Sequence, residues 1–145
     1  MQSFESTSSS GFGAAVAVLR AEACDERAVA AAASLAALAQ APWHAVLVEN
    51  AQTRRRGEAA RLRTLELLRA AQARGAVTAV LEGHDAAAVV AGYARRHGCA
   101  TAVLAREPAS AWWRTPFARR LARAAPGPAL VEVAAPSSDR GAPAA

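Results

Sequence analysis

Residues Ala76 to Arg106 read AVTAVLEGHDAAAVVAGYARRHGCATAVLAR and hold a complete strand–helix–strand unit. Ala76 to Glu82 is a short run carrying valine and threonine, residues that suit an extended backbone. Asp85 offers an N-cap to a helix from Ala86 to His97, and Gly98 ends it. Ala100 to Ala105 (ATAVLA) is the next strand. Two strands joined through a helix run parallel, and their crossover is right-handed.

The same alternation continues in both directions. Phe12 to Leu19 (FGAAVAVL) reads as a first strand, followed by Asp25 as N-cap of an Ala-rich helix from Glu26 to Gln40, ahead of Pro42. Trp43 to Glu49 (WHAVLVE) is a second strand, and the polar stretch Asn50 to Gly57 a loop. The helix from Glu58 to Arg74 carries Leu62, Leu65, Leu68 and Ala71 at a spacing of three, and Gly75 closes it. Thr115-Pro116 supplies the N-cap and first residue of a short helix bearing Phe117 and Leu121. Ala129 to Val133 (ALVEV) is the last strand. The fold class is therefore α/β, a doubly wound five-stranded parallel sheet with helices on both faces. Ligands in such sheets bind beyond the carboxyl ends of the strands, where the strand order reverses. That places the candidate site in the segments after the first and fourth strands.

At 145 residues and 53% hydrophobic content the chain has the size and the core of one domain. The α/β domain spans residues 11–134. The polar residues 1–10 and the Ala-, Pro- and Ser-rich residues 135–145 are expected to be disordered. The longest stretch without a formal charge, Ala28 to Val48, is broken by Ser34, Gln40, Pro42 and His44, which argues against a membrane span. The N-terminus lacks the basic-then-apolar order of a secretory signal, so a cytoplasmic location is expected. Cys24 and Cys99 are too far apart in sequence to suggest a disulfide framework or a zinc site.

All 17 basic residues are arginine, and the net charge of +5 suits an anionic ligand. Nucleic acid is disfavoured as a partner. The arginines are interleaved with acids, apart from Arg54, Arg55 and Arg56, and one Tyr and three Phe offer no base-stacking platform. Paired carboxylates, a Walker loop and a nucleophile triad are all missing from the sequence, so no catalysis is expected. His44, His84 and His97 fall on a strand, a loop and a helix end and read as structural. Trp112 and Trp113 have two readings, stacking on an adenine or clamping a loop onto the sheet.

From Val16 to Val133 the chain resembles a universal stress protein domain, in the version found in KdpD-type potassium sensor histidine kinases. The resemblance is carried by Leu81 to Arg106, with its strand, Gly-x-Asp turn, helix containing Tyr-Ala-Arg and fourth strand. WHAVLVEN (Trp43 to Asn50) and SAWWRTPFARRLARAA (Ser110 to Ala125) add to it. The resemblance implies a module that binds an adenine nucleotide (ATP, AMP) or cyclic di-AMP and informs a kinase. Its ligand positions fall on Ala21, Glu22, Ala23, Trp43, Ala45, Arg106, Ser110, Trp113 and Arg114. Three departures stand out. Ala21-Glu22-Ala23 replaces the family's Ser-x-Ser, which removes two hydroxyls and adds a carboxylate. Ala105-Arg106 replaces Gly-Lys, and Thr115-Pro116 replaces the Gly-Ser that opens the last helix.

These observations lead to a stand-alone regulatory or sensory module that binds an adenine-nucleotide-like ligand or a signalling partner. A homodimer through the last strand is expected, since a short apolar edge strand invites a second chain. The alternative is a degenerate, ligand-free interaction protein that dimerises or docks to a sensor histidine kinase.

Overall fold

The computed structural model describes residues 13–22, 24–106 and 116–133. Five strands, β1 (Ala14–Leu19), β2 (Trp43–Glu49), β3 (Val77–Glu82), β4 (Cys99–Ala105) and β5 (Ala129–Val133), form one sheet. Every pair is parallel, and the order is β3-β2-β1-β4-β5. The helices are α1 (Asp25–Ala39), α2 (Ala51–Arg54), α3 (Glu58–Ala73), α4 (Ala86–Arg96) and α5 (Phe117–Ala124). The doubly wound sheet read from the sequence is thus observed, with one addition: the loop after β2 contains the single turn α2.

Period-two alternation sorts the central strands into two cores. Ala15, Ala17 and Leu19 of β1, Ala45 and Leu47 of β2 and Val103 of β4 meet α1 and α3. Val16, Val18, Val46, Val48, Ala102 and Leu104 pack with α4 and α5. α1 lays Ala28, Val29, Ala32 and Ala36 on the sheet, a row of small side chains at helical spacing. α5 is short but anchored, because Phe117 and Leu121 are buried four residues apart. Burying a side chain of that size contributes about 1.5–3 kcal/mol.

Three local expectations change. Asp25 lies inside the first turn of α1, with Cys24 at the cap position. Its carboxylate turns back to the preceding loop and caps no helical N–H. α3 buries Ala60, Thr64, Leu68 and Ala71 and leaves Leu62 50% exposed, because the face of the helix is rotated from the leucine spacing. Pro116 is the residue before α5, and Thr115 lies outside the described residues. Gly75 (φ 99°) and Gly98 (φ 63°) take left-handed conformations after α3 and α4, as a chain returning to the sheet requires. The expected disordered ends, residues 1–10 and 135–145, also lie outside the described residues. No helix among the described residues is long and apolar enough to cross a membrane.

Candidate functional site

In this order the chain leaves β1 toward β2 on one side and reaches β4 on the other, so the reversal falls between β1 and β4. The loop that leaves β1 is built around three charged side chains. Arg20 follows the strand directly and is 4% exposed. Its Nη2 donates to the carbonyl of Ala105, at the end of β4, at 3.4 Å. Its guanidinium lies 4.3 Å from the centre of the Phe117 ring, a cation–π contact with α5. One side chain therefore spans the crevice from β1 through β4 to α5.

The loop then turns at Ala21, whose φ of 61° is left-handed. Asp25 holds that turn closed: its Oδ2 accepts the backbone N–H of Arg20 at 3.1 Å and of Glu22 at 3.0 Å. Its other oxygen, Oδ1, is buried with no hydrogen-bond partner. Burial pushes the Asp25 carboxyl up to about 6, outweighing the backbone N–H of Glu22 and the Arg20 guanidinium, which pull it down.

Glu22 projects between two arginines. Its Oε2 lies 2.5 Å from Nη2 of Arg56 and 3.8 Å from Nη1 of Arg20. Arg56 is placed by α2, where Asn50 and Thr53 form a reciprocal cap. Asn50 Oδ1 accepts from the Thr53 N–H at 3.0 Å, and Thr53 Oγ1 accepts from the Asn50 N–H at 2.9 Å. Arg56 Nε also donates to the carbonyl of Arg20 at 3.2 Å. A second pair, Arg61 Nε to Glu49 Oε2 at 2.5 Å, ties α3 to the end of β2. Beside the loop, a cavity of about 280 Å³ is lined by Glu22, Glu26, Arg63, Thr64, Glu66 and Leu67, an acidic surface on balance.

Of the ligand positions named from the sequence, Ala21, Glu22 and Arg106 come to the carboxyl end of the sheet. Arg106 is exposed, and its backbone N–H donates to Val133 at 2.8 Å. Trp43 is at the opposite end, in register with Ala15 at the start of β1, and its ring is buried in the α1–α3 core. Ala45 is fully buried in mid-strand. Ala23, Ser110, Trp113 and Arg114 lie outside the described residues, as does Trp112.

Arg20 and Arg56 were not among those positions. The sequence offered only a charge at the end of an apolar strand and a run of three arginines. Glu22 pairs with Arg20, two residues before it. Arg56 lies 34 residues further along, and only the fold brings it there.

The histidines separate by location. His44 Nδ1 lies 2.8 Å from the Tyr93 hydroxyl, and His97 stacks on Tyr93 with ring centres 4.1 Å apart. This cluster closes the amino end of the sheet, where burial, then the neighbouring His97, lowers the His44 pKa. Asp85 caps α4 through the Ala88 N–H at 3.3 Å, as its position suggested. Burial pushes the Cys99 thiol up to about 11, consistent with a small core residue. No cluster of three or more metal-ligating side chains is present among the described residues.

Comparison with known proteins gives a consistent family. No family model matches the chain. The sensor protein KdpD of Escherichia coli (strain K12) is 43% identical over 102 residues, which cover 70% of this chain. The match spans 11% of the length of that relative. A universal stress protein solved in complex with cAMP superposes with a TM-score of 0.64 at 16% identity, covering 86% of this chain and 98% of its own. A universal stress family protein from Burkholderia pseudomallei gives 0.62 at 24% identity, covering 87% and 98%. The protein UspA from Lactobacillus plantarum gives 0.60 at 15%, covering 84% and 97%. The sequence likeness to KdpD and the shared fold together identify the chain as a universal stress protein domain of the KdpD type.

Proposed function

We propose that this chain is a regulatory module, without catalysis of its own, that receives an adenine-nucleotide-like ligand such as ATP, AMP or cyclic di-AMP at the carboxyl ends of β1 and β4. The observation that carries the reading is the gathering of Arg20, Glu22, Arg56 and Arg106 at the point where the strand order reverses. The cAMP held by one protein of the same fold adds support. The likeness to a sensor protein makes a sensor histidine kinase the partner of choice, with the module acting in the cytoplasm as a homodimer through β5.

A second reading is favoured by the same residues. Arg20 bonds across the crevice and Glu22 pairs with Arg20 and Arg56, which suits an interaction module that needs no small molecule. Native mass spectrometry of the protein as purified from cells separates the two readings. A mass increment of a few hundred daltons on the order of one nucleotide supports the ligand-binding module. Bare chain mass, together with no thermal shift on adding ATP, AMP or cyclic di-AMP, moves the function to partner docking.

A further inference from the structure

We propose that Glu22 is a resident anion. Its carboxylate occupies the place between Arg20 and Arg56 that a ligand phosphate would take, so the crevice favours a ligand uncharged there, of nucleoside type, over a nucleotide. The inference rests on the reading that this crevice binds an adenine-type ligand, and changes its class from the nucleotides named there to a nucleoside.

The arginine pair is organised independently of the carboxylate. Arg56 is fixed through Nε to the Arg20 carbonyl at 3.2 Å. Arg20 is fixed through Nη2 to the Ala105 carbonyl and by its face on the Phe117 ring. Both guanidinium groups thus have an anchor other than Glu22, and their charges face one point, Arg56 through a hydrogen bond and Arg20 as an ion pair beyond hydrogen-bond distance. At that point sits Glu22 Oε2, 2.5 Å from one group and 3.8 Å from the other, on a side chain only 9% exposed.

Two guanidinium groups converging on one acceptor oxygen is the geometry by which arginine holds a phosphate. Here the chain supplies the acceptor. An incoming phosphate must displace a partly buried, charge-assisted partner and then sit beside a carboxylate, and both steps oppose binding. Asp25 adds to the opposition in the same loop, with its carboxylate on the backbone N–H groups of Arg20 and Glu22. The adjoining cavity has the same preference, since its lining among the described residues holds three glutamates against one arginine. A ribose hydroxyl or an amine, by contrast, can donate to Glu22 and leave the arginines in place.

The test measures adenosine and AMP binding by calorimetry for the full chain, for Glu22→Gln and Glu22→Ala, and for Glu22→Gln combined with Arg56→Ala. Thermal melts establish folding first. The expected result is AMP binding that tightens about tenfold or more in the Glu22 variants, the scale of one charge-assisted contact, and the gain is lost with Arg56→Ala. Adenosine binding stays the same or weakens. Equal AMP affinity in wild type and variants overturns the inference and leaves the ligand-binding function standing. No binding of either compound to any form removes both. If neither Glu22 variant gives a cooperative melt, Glu22 is a structural ion-pair partner and the inference fails on that ground.

Discussion

Asp25 shows how much one side chain settles. It ties the loop after β1 by two backbone hydrogen bonds while its second oxygen is buried without a partner. The folded chain therefore holds the Asp25 proton up to about pH 6, whereas an exposed aspartate releases it near 3.8. The resulting stabilisation is complete below 3.8 and is lost as pH rises through about 6, about 3 kcal/mol in full. His44 runs the other way: its lowered pKa gives stability present above 6.5 and lost as pH falls through the folded value. The two overlap, so Asp25 must be read by difference. Wild type minus Asp25→Asn, in urea unfolding free energy, should rise by about 1 kcal/mol from pH 7 to pH 5. A difference that does not move with pH would mean that Asp25 titrates as an ordinary aspartate. None of this was legible in the sequence, where Asp25 before an Ala-rich run reads as an ordinary cap. The competing donors, Arg20 and Glu22, became visible only once Ala21 was seen to turn the backbone toward them.

At the scale of elements, β3 and α4 meet at a tight corner. A Cβ on Gly83 would stand 2.3 Å from Cγ2 of Val89, closer than atoms tolerate, and valine has little rotamer freedom on a helix to move away. Gly83→Ala should cost about 1–3 kcal/mol by overpacking, and adding Val89→Ala should recover part of it. Urea midpoints of the two variants check this; an unchanged midpoint in Gly83→Ala would show that α4 shifts freely on the sheet. Strand and helix order was readable because Gly75, Gly98, Pro42 and Asp85 punctuate the chain where the physics of turns requires. The face of α3 was not readable. Leucine spacing pointed to Leu62, yet the sheet selects Ala60 and Thr64, and Leu62 stays half exposed. In an alanine-rich helix the small residues compete with leucine for the close contact, so hydrophobicity alone misplaces the buried stripe.

For the whole molecule, the two edges of the sheet differ from its centre. β1 and β2 are buried along their full length, whereas β3 and β5 are partly open, with Val77 and Val80 about half exposed on β3. β5 is the edge proposed for pairing with a second copy. A Val131→Pro variant, folded by circular dichroism, should be monomeric by light scattering. A dimer surviving that change moves the interface elsewhere, with β3 as the next surface to test. The site shows the same division between readable and unreadable as the fold. Its location at the ends of β1 and β4 follows from the order of elements and was legible. Its contents were not, because the partnership of Glu22 with Arg56 depends on α2, a single turn hidden in a polar loop.

The strict alternation of the central strands has a thermodynamic consequence. Val103 and Leu104 are neighbours in the chain, yet Val103 belongs to the core beneath α1 and α3, and Leu104 to the core beneath α4 and α5. Truncating both to alanine should give the sum of the separate losses, within about 0.5 kcal/mol. Leu104 and Phe117, thirteen positions apart, share one core and should show a coupling energy beyond that margin. In this molecule sequence distance does not predict energetic independence; the side of the sheet does.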